Sequence, residues 1–117
     1  MANISIGEIK NFVFNDEVEW EEVNPGVRRK MLAYDNDLMT LIVEFKKDSI
    51  GYLHKHYHTQ ISYIVSGSFE VNINGVKKIQ KAGDAYYLQP NIEHGVVALE
   101  DSLLVDIFTP AREDFIK

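Results

Sequence analysis

Residues 54–60 read HKHYHTQ and hold three of the four histidines in this chain of 117 residues. Alternate side chains of a β-strand point to the same side, so His54 and His56 are expected to converge on one ion from a single strand. Gln60 lies an even number of residues from both histidines, so its side chain is expected to point to the same side. His94 is expected to complete the set from a separate strand. Because imidazole suits transition metals, the pattern predicts that His54, His56, Gln60 and His94 bind one divalent metal.

The chemistry of these four ligands also indicates what the ion would do. Three neutral histidines and a neutral amide leave its positive charge uncompensated, which favours a Lewis acid and an anion-binding centre. Zinc, nickel, manganese, iron and cobalt are all candidates. The side chain of His58 would point to the same side as those of His54 and His56. A strand cannot direct three successive alternate side chains at one ion, so His58 is expected to support the site or line the pocket. The competing interpretation is a chance cluster of surface histidines in a polar loop.

Short strand-like segments lie on both sides of this cluster. Strands are predicted, in chain order, at residues 17–23, 27–34, 38–46, 59–66, 68–73, 76–80, 85–89, 96–99 and 103–108. The apolar, β-branched segment 38–46 is expected in the middle of a sheet. Asn74-Gly75 predicts a tight hairpin, because a type I′ turn needs two positive φ angles. Many short strands separated by turns predict an all-β sandwich or barrel.

Two further expectations concern the C-terminal third of the chain. The segments 96–99 and 103–108 are expected to pair with each other around the turn at residues 100–102. Thr109 is placed as a helix N-cap and Pro110 at the first helical position, which together predict one helical turn there.

Composition and charge limit the class of protein. The hydrophobic content of 45% and charged content of 26% are ordinary for a globular protein, and residues 1–117 suit one domain. The chain has no cysteine, which excludes disulfides and thiolate metal sites and favours a cytoplasmic location. A net charge of −6 argues against nucleic-acid binding. The start of the chain does not have the pattern of a signal peptide, and no apolar run is long enough to span a membrane.

The spacing of the histidines resembles the two motifs of the cupin superfamily. The first motif, a glycine, His-x-His, an acid or amide and a second glycine, matches residues 51–67, with Gln60 where most cupins have glutamate. The second motif, a glycine, a proline and a histidine, matches residues 83–95. The resemblance implies a double-stranded β-helix, or jelly-roll barrel, that holds a metal. It does not specify the reaction, because this fold hosts many chemistries.

A closer resemblance, to the KdgF family, covers nearly the whole chain. Residues 14–32, 54–67 and 94–116 carry it, and the last of these reads HGVVALEDSLLVDIFTPAREDFI. The members are small cupins that open the ring of 4,5-unsaturated monouronates released by pectin and alginate lyases, with three histidines and a glutamine as metal ligands. The resemblance implies the same reaction here and, as is common in small cupins, a homodimer.

The same resemblance implies roles for three residues near the C-terminus: catalytic Asp106, its companion aromatic Phe108 and substrate-binding Arg112. Asp106 is unusual even without the resemblance, since it interrupts an apolar strand and shares a face with Leu104 and Phe108. A buried carboxylate there would have a raised pKa unless a metal or Arg112 lowered it. The alternative is that Asp106 faces solvent on an edge strand and that Arg112 is an ordinary surface charge.

The implied reaction takes a proton from the anomeric hydroxyl and gives one to carbon 4, with Asp106 as the shuttle and Arg112 holding the substrate carboxylate. Two other functions stay open, an iron-dependent dioxygenase-type cupin and a sugar-binding or regulatory cupin without catalysis. Five large aromatic residues either line a sugar site or serve barrel packing and subunit contact: Trp20, Tyr34, Tyr63, Tyr86 and Tyr87.

Overall fold

Residues 9–116, the part of the chain that the computed structural model describes, form two antiparallel β-sheets. The strands are β1 (Glu21–Asn24), β2 (Val27–Tyr34), β3 (Met39–Phe45), β4 (Ile50–His54), β5 (Thr59–Ser66), β6 (Ser68–Ile73), β7 (Val76–Lys81), β8 (Ala85–Leu88), β9 (His94–Ala98) and β10 (Ser102–Thr109). One sheet has the order β1-β2-β3-β10-β5-β8 and the other β4-β9-β6-β7. This arrangement confirms the predicted all-β fold. Within residues 9–116, no helix is both long and apolar enough to cross a membrane.

The hydrophobic core lies between the two sheets. On β3 every second side chain is buried, namely Met39, Leu41, Val43 and Phe45. This strand lies between β2 and β10, so the predicted interior position is confirmed. From the facing sheet, Phe69 packs edge-on against Phe45, with ring centroids 5.1 Å apart. Full burial of one such side chain stabilises the fold by about 1.5–3 kcal/mol.

The inner face of β5 changes from apolar to polar along the strand. Ile64, Ser62 and Gln60 all point inward and are buried. On the neighbouring strand β10, Asp106 is the cross-strand partner of Ser62, and Phe108 is the partner of Gln60. The register therefore collects polar side chains at one end of an otherwise apolar interior.

The hairpin between β6 and β7 is the one predicted from its turn residues. Asn74 has φ 52° and Gly75 has φ 85°, the left-handed values that a type I′ turn requires. Ile73 pairs directly with Val76 across the turn. The hairpin prediction is confirmed.

The expected pairing of residues 96–99 with 103–108 is wrong. β9 pairs with β4 and β6 in the four-stranded sheet, whereas β10 pairs with β3 and β5 in the six-stranded sheet. Both strands bury one apolar face in the same core, but from opposite sides. A local turn signal cannot distinguish a chain that doubles back from one that crosses to the other sheet, and here the chain crosses.

Both ends of the described region also differ from expectation. The first strand begins at Glu21 and not at residue 17, because Asn15–Glu17 form a short 3-10 turn. The helical turn predicted at Thr109 does not form, because Thr109 is still paired with Thr59 as the last residue of β10. The chain turns later, where the N–H of Phe115 donates to the carbonyl of Arg112.

Candidate metal centre

Three histidines converge at the polar end of the interior. His54 ends β4, and His94, its cross-strand partner, begins β9. His56 lies in the connection from β4 to β5. The ring centroids are 4.4 Å apart for His54 and His94, 5.0 Å for His56 and His94, and 5.6 Å for His54 and His56. One ring nitrogen from each lies within 4.8 Å of the others, a spacing that could hold a metal ion.

The route by which these side chains meet differs from the one expected. His54 and His56 do not share a strand, because β4 ends at His54. Gln60 belongs to β5, which lies in the other sheet. The chain crosses between the sheets at residues 55–58, so the candidate ligands come from both of them. The four side chains do lie close together, but they meet across two sheets and not along one strand.

The tautomer of each ring suits a metal. In all three histidines Nδ1 donates a hydrogen bond to a main-chain carbonyl two residues away, at 2.8 Å in His54, 3.1 Å in His56 and 3.0 Å in His94. Each Nε2 is therefore left with a lone pair, and each ring is held in place. Burial lowers the pKa of His56, and it lowers the pKa of His94 to about 4, so that both rings are neutral at pH 7.

Gln60 presents its oxygen to this group. Its Nε2 donates to Ser62 Oγ at 2.9 Å and to Asp106 Oδ1 at 3.2 Å, so its Oε1 is the atom that lies 3.0 Å from His56 Nε2. The Nδ1 proton of His56 is already given to a carbonyl, which makes its Nε2 an acceptor. Two acceptors therefore face each other at hydrogen-bond distance. A cation bound by both lone pairs would satisfy them, so the residues fit a metal.

Asp106 lies beside this amide, on the inner face of β10. Ser62 donates to its Oδ1 at 2.5 Å. Leu104, Asp106 and Phe108 were expected to share one face of the strand. This is confirmed, because all three line the same cavity. Burial raises the pKa of Asp106 to about 6, although hydrogen bonds from Ser62 and Gln60 and the charge of Arg112 act in the opposite direction.

A cavity of about 400 Å³ joins these groups, a volume in the range of small-molecule sites. It brings together seven of the residues singled out from the sequence: His54, Gln60, Tyr86, His94, Asp106, Phe108 and Arg112. Apolar side chains such as Val43 and Val96 form much of the remaining wall. A polar group that enters this cavity would therefore meet a few fixed partners in an apolar surround.

Arg112 is held firmly at the cavity wall and is only 9% exposed. Asp114 accepts two hydrogen bonds from it, at 3.0 Å from Nε and 2.7 Å from Nη2. Its guanidinium lies over the rings of Phe115 and Phe108, 4.2 Å and 5.3 Å from their centroids. The alternative interpretation, that Arg112 is an ordinary surface charge, is therefore wrong.

His58 is not one of the three converging histidines, although its ring centroid lies 5.3 Å from that of His56. It is 3% exposed, and its Nε2 lies 2.9 Å from a carboxylate oxygen of Glu113. Tyr57 stacks on the His58 ring and donates to the same carboxylate. His58, Glu113 and Asp114 are close enough to resemble a second metal group. His58 bonds to Glu113, and Arg112 bonds to Asp114, so this cluster joins the 55–58 connection to the C-terminal segment.

Sequence reasoning missed Ser62, which bonds to two residues of the cavity wall, and Arg29, which lines the cavity itself. Ser62 was detectable, because it interrupts the apolar inner face of β5 two residues after Gln60. Tyr86, the cross-strand partner of Ser62, was among the aromatic residues expected either to line a sugar site or to serve packing, and it lines the cavity. Burial, followed by the Asp106 carboxylate, raises the pKa of the Tyr86 phenol. Arg29 and Arg112 lie against the same ring, that of Phe115, and no local pattern indicates that contact.

Comparisons with known proteins extend these observations. A family model described as a cupin domain matches residues 41–108. The chain is 47% identical over 110 residues to the pectin degradation protein KdgF of Dickeya dadantii, covering 92% of this chain and 100% of that protein. A structure of KdgF from Halomonas sp. is 42% identical, with a TM-score of 0.88, and covers 92% of this chain and 99% of its own.

An RmlC-like cupin from Shewanella frigidimarina has a similar likeness, with 41% identity and a TM-score of 0.89. That match covers 92% of this chain and 96% of the other. The sequence relative and both structures match nearly the full length of the chain, and the family model matches more than half of it. The chain therefore belongs to the cupin superfamily and, within it, to the KdgF family.

Proposed function

We propose that this protein is a metal-dependent enzyme that opens the ring of 4,5-unsaturated monouronates to give linear keto sugar acids. Membership of the KdgF family supports this, because the relative from Dickeya dadantii is named a pectin degradation protein. Monouronates from pectin and from alginate share the reacting groups, so either is a candidate substrate. A cytoplasmic location, expected from the cysteine-free sequence, is part of the same proposal.

One observation carries the proposal: two acceptors, His56 Nε2 and Gln60 Oε1, face each other at 3.0 Å beside a cavity that Asp106 lines. A cation satisfies the two acceptors, and the neighbouring carboxyl group has a pKa of about 6, suited to moving protons near neutral pH. An electrophilic centre next to a proton shuttle is what this ring opening requires.

The residues that would hold the metal are His54, His56, Gln60 and His94. A divalent cation bound there would supply Lewis-acid stabilisation of negative charge on substrate oxygens. Zinc, nickel, manganese, iron and cobalt all suit this mixed nitrogen and oxygen set. None of the four ligands is anionic, so the centre attracts an anionic sugar although the chain has a net charge of −6.

Asp106 would move the proton. The substrate is a cyclic hemiacetal with an enol ether beside its carboxylate. Asp106 takes the proton of the anomeric hydroxyl, the bond between carbon 1 and the ring oxygen breaks, and an aldehyde forms at carbon 1. Return of the proton to carbon 4 converts the enol at carbon 5 to a ketone. The reaction is an isomerisation, so it needs no oxidant or reductant.

Arg112 would bind the substrate carboxylate, and Phe108 would shape the pocket. Asp114 orients the guanidinium by two hydrogen bonds, and the rings of Phe108 and Phe115 shield it from water. A shielded cation interacts more strongly with a carboxylate than a fully hydrated one does. Its rigid planar form also limits the entropy lost when substrate binds.

Turnover of an unsaturated monouronate tests the proposal. The protein is purified without an affinity tag, stripped by a chelator and reloaded with one metal at a time. Ring opening is followed by the loss of absorbance of the conjugated double bond. We expect turnover only after reloading, at the same rate with and without oxygen. Dependence on oxygen would support the dioxygenase alternative, and sugar binding without turnover would support the non-catalytic one.

We further propose that two copies pair through the outer face of β5, β8 and β10. Ile61, Tyr63, Val65 and Tyr87 are between 43% and 57% exposed on this face. In the described chain, none of the outward side chains of these three strands is charged. Two copies with a net charge of −6 repel each other elsewhere, so an uncharged apolar face is the favoured contact.

Light scattering coupled to gel filtration tests this pairing. Tyr63→Glu is expected to shift the molecular mass from that of a dimer to that of a monomer, because it places a charge in the apolar contact. Ile79→Glu is the matched control, since Ile79 is 71% exposed on β7 of the other sheet. A wild-type monomer, or a dimer that survives Tyr63→Glu, would contradict the proposal.

A further inference from the structure

Ser62 is completely buried, with 0% of its surface exposed, in the middle of the inner face of β5. Its neighbours along the cross-strand row are Asp106 on β10 and Tyr86 on β8. A hydroxyl at such a position costs free energy unless it is hydrogen-bonded. The structure provides those bonds, and they lead to the two groups on which the proposed reaction depends.

Ser62, Gln60 and Asp106 are joined by three hydrogen bonds, and the Tyr86 hydroxyl also bonds with Ser62. Gln60 Nε2 donates to Ser62 Oγ at 2.9 Å and to Asp106 Oδ1 at 3.2 Å, and Ser62 Oγ donates to the same Oδ1 at 2.5 Å. Both bonds to Asp106 end on one oxygen. The carboxylate is therefore fixed in rotation, and Oδ2 is the oxygen left for another partner.

The same set fixes the amide of Gln60. Each of its two N–H groups has an acceptor, Ser62 Oγ or Asp106 Oδ1, so rotation of the amide by half a turn would break both bonds. Oε1 is thereby kept on the side of His56 Nε2. Ser62 thus links the orientation of a candidate metal ligand to the orientation of the proposed proton shuttle.

We infer that Ser62 is a positioning residue for the ring opening: its hydroxyl holds the Asp106 carboxylate so that Oδ2 exchanges the proton with substrate. This role rests on the proposed function, in which Asp106 moves the proton. Ser62 itself does not contact the substrate. Its effect is expected in the rate of the chemical step and not in substrate affinity, because it fixes a group that is already in place when substrate binds.

Ser62→Ala removes the hydroxyl with little change in volume. The loss of a hydrogen bond to a charged group is expected to lower kcat by about tenfold, with KM unchanged within about twofold. Ser102→Ala is the matched control, because Ser102 is 4% exposed in the same sheet and, within residues 9–116, its hydroxyl bonds only with the main chain of residues 68 and 100. It is expected to leave kcat unchanged. An equal loss in both variants would overturn the inference.

A double-mutant cycle separates positioning from a general structural effect. In the Asp106→Asn background, Ser62→Ala is expected to lower kcat by no more than about twofold, because no proton shuttle is left to position. A further loss of about tenfold in that background would show that Ser62 acts independently of Asp106 and would overturn the inference.

A second cycle does not depend on catalysis. The unfolding midpoints in urea are measured for the metal-free wild type, Ser62→Ala, Asp106→Ala and the double variant, because Asp106→Ala removes the acceptor of the Ser62 hydroxyl that Asp106→Asn keeps. The losses are expected to be less than additive, because both substitutions break the same bond. Additive losses would overturn the inference. If the wild type failed to open the sugar ring, the proposed function would fall, and this cycle would still decide whether the two side chains are coupled.

Discussion

His54 and His94 are cross-strand partners at the ends of β4 and β9, and their rings lie 4.4 Å apart. His56 approaches the same point from the connection that carries the chain into the other sheet. Gln60, on that second sheet, supplies the oxygen that faces His56. A metal bound to all four would join the two sheets, so its binding is expected to stabilise the folded state as well as to serve catalysis.

The first prediction distinguishes the histidine that would bind the metal from its neighbour. His56→Ala is expected to lose most of the bound metal, because it removes a ligand. His58→Ala is expected to keep it, because His58 points to Glu113. Elemental analysis after identical purification measures the metal, and added metal should raise the melting temperature of His58→Ala but not of His56→Ala. Equal metal loss in the two variants would place His58 among the ligands.

A second prediction concerns the neutral ligand. Gln60→Glu is expected to retain the metal and to bind it more tightly, since a carboxylate adds a charge–charge attraction. It also replaces the amide N–H groups near Asp106 Oδ1 with a second anionic oxygen, so we expect KM for the anionic sugar to rise and kcat to fall. Titration calorimetry and steady-state kinetics measure the two effects. Tighter binding of uronate than in the wild type would contradict this account of the site's charge.

Strands marked by alternating apolar residues or by turn residues at their ends were predicted well from the sequence. β2, β5 and β6 have the predicted bounds, and the Asn74-Gly75 turn forms as expected, because alternation and turn chemistry act over a few residues. The partner of β10 was predicted wrongly for the opposite reason. Whether the chain doubles back or crosses to the facing sheet depends on which apolar face completes the core, and that is a property of the whole barrel.

The candidate site likewise contains residues that local sequence patterns indicate and one that they do not. The residue types His54, His56, Gln60 and His94 were detectable from spacing, although they meet across two sheets and not along one strand. The arginine Arg29 could not have been found from sequence reasoning. It lines the cavity, and its guanidinium lies 3.7 Å from the ring centroid of Phe115, eighty-six positions later in the chain. Contacts of that sequence separation leave no periodic signal.

The third prediction concerns the fold rather than the site. Gly67 has φ 80°, and a Cβ added there would lie 2.6 Å from the carbonyl oxygen of Asp101. Gly75 has a similar φ of 85° but open space around the added atom. Gly75→Ala is therefore expected to cost about 1–2 kcal/mol of unfolding free energy through its backbone alone. Gly67→Ala is expected to cost about 1–3 kcal/mol beyond that, because the clash adds to the strain. Urea unfolding measures both, and equal costs would contradict the packing argument.

The last prediction concerns Asp106, which has the inward position on β10 that a proton shuttle needs, beside Gln60 and outside the group of three histidines. Asp106→Asn keeps the size of the side chain and an acceptor for the Ser62 hydroxyl, but it cannot exchange a proton at neutral pH. Proton transfer by a positioned side chain contributes about 100- to 10,000-fold in rate, so ring opening should slow within that range at matched metal loading.

Burial raises the pKa of the Asp106 carboxyl group, so the neutral amide should leave stability unchanged or improve it. Absorbance of the conjugated double bond, elemental analysis and thermal unfolding are measured on the same preparations. Turnover close to that of the wild type would remove Asp106 from the mechanism, whereas loss of metal would make Asp106 a fifth ligand.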